Sequence, residues 1–165
     1  MEPSFDIRGN LQPYEIIKID QLHFKQLFVD AFDAESTRVH LYSNYQHYLA
    51  ELRKVLNYEF YQLIDGSFTT VKRDPNDIDI VSFIDYRDYE ALNSVVMDRF
   101  SSAKARAVYQ VDAYIVSHYP EIHPKYVIYH SDLLYWRNLF GKTRVLRNKK
   151  QYQKGIIQLN FVNNG

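Results

Sequence analysis

The sequence predicts an α/β (α+β) fold: a small mixed β-sheet with flanking helices, preceded by a helical N-terminal segment. Three observations carry that prediction. Apolar positions recur at helical spacing through residues 20–57, short aromatic and β-branched runs bounded by turn residues begin at Tyr58, and the two patterns then alternate to the C-terminus. At 165 residues, and roughly 150 residues per domain, one domain over 1–165 is expected. It divides into a helical lead-in (1–57) and a sheet-containing core (58–162).

Residues 1–15, with Pro3, Gly9 and Pro13, read as an extended lead-in. From Asp20, a good N-cap, Leu22, Phe24, Leu27, Phe28 and Phe32 follow a helical period. A second helix is predicted from Ser36 to about Asn57, burying Val39, Leu41, Tyr45, Leu49, Leu52 and Val55. Tyr58 to Ile64 reads as a strand ending at Asp65-Gly66-Ser67, and Ile78 to Ile84 as a second strand entered through the turn signal Asp74-Pro75-Asn76. Residues 87–99 return to helical spacing. Val108 to Ser117 is predicted as a third strand, Lys125 to Phe140 as mainly helical, and Gly155 to Val162 as a last strand, giving four or five strands with an acidic face and helices packed opposite.

Composition excludes several classes of function. Lys plus Arg and Asp plus Glu number 20 each, so the formal net charge is zero and any polyanion site must be local. No run approaches the 18 or so apolar residues of a membrane span, and no membrane partner is expected. The chain has no cysteine, which removes disulfides, thiol chemistry and cysteine-ligated metals and suits a reducing compartment. Met1-Glu2-Pro3-Ser4-Phe5-Asp6 does not resemble a secretory signal, so a cytoplasmic location is expected.

Asp77 and Asp79 flank Ile78, and alternation along a strand sends both carboxylates from one face. Such a pair suits magnesium, which takes hard oxygen ligands and leaves the remaining positions to water and substrate phosphate. With acids at this density about two acid-x-acid pairs arise by chance, so the pair gains weight from its neighbours. Gly66-Ser67 is the only Gly-Ser in the chain and lies at the end of the preceding strand, where glycine permits close backbone approach; a helical turn after Ser67 would offer free N–H groups to phosphate. A third carboxylate, Asp112, falls within an otherwise apolar strand, where it must be solvated, paired or metal-bound.

Gly66-Ser67, the interval before Asp77-Ile78-Asp79-Ile80, and a later strand bearing Asp112 together resemble the signature of the polymerase β-type nucleotidyltransferase superfamily. More narrowly, the stretch from Ile64 to Ile80, with Trp136, Phe140-Gly141 and Lys154-Gly155-Ile156 beyond it, is similar to a bacterial and phage family of small nucleotidyltransferase-like proteins. The resemblance covers about Tyr58 to Leu159. It implies a sheet of the nucleotidyltransferase type in which Gly66 and Ser67 hold nucleotide phosphates, Asp77 and Asp79 bind Mg²⁺ or Mn²⁺, and Asp112 completes the metal site and orients the attacking hydroxyl. Asp65 departs from the superfamily pattern, which has an apolar residue before the glycine; the extra acid either repels a triphosphate or points away. Lys72 and Arg73 offset phosphate charge or are solvated loop cations.

The expected reaction is transfer of a nucleotidyl group from a nucleoside triphosphate to a hydroxyl of a protein or RNA acceptor. The alternative is a binding module on the same fold, such as an antitoxin-like half of a toxin–antitoxin or defence pair, or a nucleotide sensor without turnover. Because larger members of the superfamily carry a separate helical domain, the acceptor surface is expected from residues 1–57, from 141–154, or from a partner protein or second copy of the chain. His118, His123 and His130 lack the tight spacing of a zinc ligand pair. The basic run Lys142, Arg144, Arg147, Lys149, Lys150 and Lys154 is either a polyanion-binding segment or a solvated loop.

Overall fold

A computed structural model describes residues 2–162. The chain opens with a short antiparallel pair, β1 (Ser4–Phe5) and β2 (Leu11–Gln12), followed by β3 (Ile16–Lys18). Helix α1 (Gln21–Lys25) is capped by Asp20, whose carboxylate accepts from the His23 N–H, and widens into a π turn over Gln26–Asp30. Ser36 caps α2 (Thr37–Val55). Then come β4 (Phe60–Asp65), β5 (Ile78–Asp85), the short helices α3 (Tyr86–Ala91), α4 (Ser94–Arg99) and α5 (Ser102–Tyr109), β6 (Val111–His118), α6 (Tyr126–Phe140) and β7 (Ile156–Phe161). The α/β class is as the sequence predicts.

Five strands form one mixed sheet in the order β3-β7-β4-β5-β6. Strands β4 and β5 are antiparallel, as are β4 and β7, whereas β5–β6 and β3–β7 run parallel. Alternation along the strands assigns the two faces. Phe60, Ile64, Ile80, Ile84, Val111, Ala113, Ile157 and Leu159 enter the larger core beneath α1, α2 and α5. On that face Tyr45 donates its hydroxyl to Gln62, which donates in turn to Ser82, so the buried polar groups are satisfied in a chain. Leu63, Val81, Phe83 and Ile156 enter a smaller core with Tyr129, Trp136 and Phe140 of α6.

Several expectations are corrected. The first 57 residues are not a purely helical lead-in, because β3 joins the sheet as an edge strand beside β7; three residues are too few to show a period. Val39 is 46% exposed, while Tyr48 and Arg38 of the same helix are fully buried. The helix predicted over 87–99 is two, interrupted where Leu92 is extended and Asn93 caps α4. Val108 and Tyr109 end α5 and do not begin a strand: Gln110, at φ 54°, closes that helix in the left-handed conformation and β6 starts only at Val111. The acid-bearing face is not bare either, since α6 covers much of it.

Candidate functional site

Strand register brings three acids into one row. Asp65 pairs with Asp79 across β4 and β5, and Asp79 pairs with Asp112 across β5 and β6. Because these are direct partners on adjacent strands, all three side chains leave the same face, at the strand ends that α6 leaves open. Asp77 sits just before β5. Asp77, Asp79 and Asp112 therefore come together although Asp112 is far away in sequence.

The electrostatics record the crowding. Burial, then the neighbouring Asp77 and Asp112 carboxylates, push Asp79 up to about 6. Arg106, in the last turn of α5, lies between two of the acids: its Nη2 is 2.5 Å from Asp112 Oδ2 and 3.6 Å from Asp77 Oδ2. The guanidinium thus supplies the positive charge that a cluster of carboxylates requires. Among the described residues no three His, Asp or Glu side chains form a ready metal cage.

Gly66 is fixed by two independent constraints. Its φ is +80°, and a Cβ added there would lie 1.7 Å from Asp79 Oδ2. Only glycine lets the backbone turn this way and come so close to the carboxylate. After it the chain makes a single hydrogen-bonded turn, Thr70 N–H to the Ser67 carbonyl at 3.3 Å, and does not continue into a helix.

Asp65, Gly66, Asp77, Asp79 and Arg106 line a cleft of about 570 Å³, together with Asn10, Ser67, Thr70, Lys72, Asn76, Lys142, Arg144 and Lys154, whereas Asp112 is not among its lining residues. Leu139 and Phe140, at the end of α6, form its apolar wall. Arg106 lines the cleft where it covers Asp112. Arg73 is turned elsewhere, holding Asp33 at 2.7 and 2.9 Å and Asp74 at 2.7 Å. Lys72 does line the cleft.

Asp65 resolves an open alternative. It points inward, is 4% exposed, and meets the equally buried Lys154 at 2.8 Å. Burial is the stronger influence and pushes Asp65 up to about 7, against the pull of Lys154. Among the described residues its Oδ1 has no hydrogen-bond partner. Lys154 is thus a site residue that sequence reasoning placed in a basic run rather than in the site. The available signal was the strand alternation that puts Asp65 on the face of Leu63, together with the improbability of burying an acid without a cation.

From the same basic run Lys142 and Arg144 also face the cleft, whereas Arg147, Lys149 and Lys150 are exposed in the loop. The three histidines do not converge. His118 packs on Tyr61 and Tyr129, His123 between Tyr86 and Tyr119, and His130 on Tyr126.

Comparison with known families matches residues 3–160 to a family of unknown function, DUF6932. The chain belongs to DUF6932. The matched span takes in the N-terminal strands, the row of acids and all of β7 but Phe161, so the site lies wholly within the DUF6932 region. No curated protein and no solved structure matches the chain.

Proposed function

We propose that this DUF6932 chain is a metal-dependent nucleotidyltransferase that moves a nucleoside monophosphate group from a nucleoside triphosphate to a hydroxyl of a protein or RNA acceptor, breaking the α–β phosphoanhydride bond and releasing pyrophosphate. One observation carries the reading. Asp77 and Asp79, with Gly66 packed onto Asp79, line a cleft that also holds Lys72, Lys142 and Arg144, and Asp112 is the direct strand partner of Asp79 beneath Arg106. Phosphoryl transfer needs such a juxtaposition of anionic floor and cationic walls, because charge on the phosphoryl oxygens has to be opposed while the acceptor oxygen is oriented.

Mg²⁺ or Mn²⁺ suits these donors by their chemistry: the carboxylate oxygens are hard, and Asp79, raised by burial first and by Asp77 and Asp112 next, would be relieved by a cation beside it. Asp77, Asp79 and Asp112 are the residues that would hold it once Arg106 leaves Asp112 and Asp77, since among the described residues they form no ready cage as they stand, and bound there it would supply Lewis-acid stabilisation of the phosphoryl oxygens. The chain's own groups do the rest. The Gly66-Ser67 turn brings backbone close to the phosphates. Lys72, Lys142 and Arg144 oppose their charge. Asp112 orients the attacking hydroxyl, and Lys154 neutralises Asp65 so that the extra acid does not repel a triphosphate. The cleft volume lies within the range of about 300–1,000 Å³ common for small-molecule sites. A cytoplasmic location suits a chain without cysteine, and among the described residues no helix is long and apolar enough to cross a membrane.

A second reading is favoured by the Arg106 bridge. A guanidinium held on Asp112 and Asp77 is what a nucleotide-binding module without turnover, or an antitoxin-like component acting through a partner protein, would tolerate. Incubation of the protein with each labelled nucleoside triphosphate, Mn²⁺ and either cell lysate or total RNA separates the two. The transferase reading expects a labelled product that is lost in Asp77→Asn and Asp79→Asn. If wild type transfers nothing from any of the four triphosphates, the module reading replaces it.

A further inference from the structure

The loop between the Gly-Ser turn and Asp77 has little secondary structure of its own, yet Ser67, Thr70, Lys72 and Asn76 all line the cleft from it. Its shape is imposed from outside. Arg38, in the first turn of α2, is fully buried, and its guanidinium donates to four backbone carbonyls: Phe28 at 2.9 Å, Phe68 at 2.6 Å, Thr70 at 2.7 Å, and Lys72 at 2.6 and 3.1 Å. Three of these belong to alternate residues of the loop.

The rings of Phe32 and Phe68 pack against the guanidinium, centroids 3.8 and 5.0 Å from Cζ. Burial holds its pKa down at about 10, and the neighbouring Asp74 carboxylate opposes this. The two preceding residues extend the hold. Ser36 Oγ donates to the Arg73 carbonyl at 2.6 Å, Thr37 Oγ1 to the Pro75 carbonyl at 2.7 Å, and Thr37 N–H to Asp74 Oδ1 at 3.1 Å.

A planar trans peptide sets each C=O opposite the following N–H. Fixing the Phe68, Thr70 and Lys72 carbonyls on Arg38 therefore turns the N–H groups of Thr69, Val71 and Arg73 the other way. The Val71 N–H accordingly meets the Gly9 carbonyl at 3.1 Å, so the N-terminal turn seats the loop from its far side.

A buried arginine is costly to keep unless its donors are satisfied. A core residue is a cheaper way to stabilise a helix start, and the five-donor planar fork is the one side chain that spans several carbonyls at fixed angles.

We propose that Arg38 is the positioning residue of the cleft: by gathering the Phe68, Thr70 and Lys72 carbonyls it fixes the loop so that Ser67, Thr70 and Lys72 line the cleft where the phosphates of a nucleotide would bind. The proposal rests on the nucleotidyltransferase reading for its ligand but not for the clamp itself. It assigns the N-terminal segment a role in ligand binding, through α2, that the residues of the cleft alone do not reveal.

The test is Arg38→Lys, which keeps the charge but places its donors on one nitrogen and cannot span the carbonyls. Tyr48→Phe serves as the control; it deletes a buried hydrogen bond to the Phe100 carbonyl, remote from the loop. Amide hydrogen exchange should show residues 67–73 exposed in Arg38→Lys while β4 and β5 keep their protection, and no such local change in Tyr48→Phe. In the label-transfer assay Arg38→Lys should raise KM for the triphosphate by about tenfold with kcat changed by less than about threefold, and Tyr48→Phe should leave KM unchanged.

Unchanged exchange at 67–73, or an equal KM rise in both variants, overturns the proposal. If wild type transfers no label, the transferase reading fails on its own, and the exchange experiment still decides whether Arg38 clamps the loop.

Discussion

Asp79 stores energy against the fold. Its carboxyl is pushed up to about 6 by burial first and by Asp77 and Asp112 next, so the ionised form is disfavoured in the native state. For an acid whose folded pKa exceeds its unfolded value near 3.8, the native state binds more protons between the two values. Stability from this group therefore rises as pH falls from about 7 towards 4, and is lowest above the folded pKa. Asp79→Asn should then stabilise the protein by about 1–2 kcal/mol at pH 7.5, the gain shrinking by pH 5, in thermal melts at the two pH values. A variant less stable than wild type at pH 7.5 would mean that the carboxylate is a net structural asset. Gly66→Ala tests the same contact from the other side. A methyl group at φ +80° that overlaps Asp79 Oδ2 should cost about 1–3 kcal/mol and displace the carboxylate.

Between elements, the decisive tie is the buried pair of Asp65, at the end of β4, with Lys154, just before β7. Removing one partner of such a pair commonly costs about 3–5 kcal/mol because a charge is left uncompensated. Asp65 limits that loss: already pushed up to about 7, it can take a proton when Lys154 is absent. Lys154→Met should therefore cost less at pH 5.5 than at pH 8, where ionised Asp65 has no cation beside it. Denaturant unfolding at both pH values checks this, and an equal loss at each would show that the pair does not control the protonation of Asp65. Adding Asp65→Asn to Lys154→Met should recover part of the loss.

The same element scale separates what the sequence makes legible from what it does not. Asp20 and Ser36 announce α1 and α2 by local capping chemistry, and the strand alternation around Ile78 and Ile80 places Asp77 and Asp79 correctly. The π turn, the break at Leu92 and the left-handed Gln110 leave no period to read. Arg106, Lys154 and Arg38 are illegible for a different reason. A solvated cation and a buried cation look alike in sequence, and only tertiary register says which acid or carbonyl each one meets.

Over the whole molecule, the site depends on an N-terminal segment and the segment before β7, which meet beside the acids. Strand β3 pairs with β7, and the residues before it hold three parts of the cleft's surroundings. The Gly155 N–H donates to the Leu11 carbonyl at 2.6 Å, the Ile156 N–H to the Glu15 carbonyl at 3.0 Å, and the Val71 N–H to the Gly9 carbonyl at 3.1 Å. Leu11 is itself fully buried in the larger core, and Asn10 lines the cleft. Deleting residues 1–14 would thus remove a core leucine and leave the Val71 and Gly155 N–H groups without their acceptors. Truncating a buried leucine alone costs about 2–5 kcal/mol, and the orphaned donor of the buried Gly155 adds about 1–3 kcal/mol. The truncated chain should accordingly lose at least about 3 kcal/mol and show faster amide exchange at Val71 and Gly155 than at the centre of β5. A melting temperature unchanged by the deletion would mean that the N-terminal turn is an ornament on the sheet, and that the cleft's loop is held from the α2 side alone.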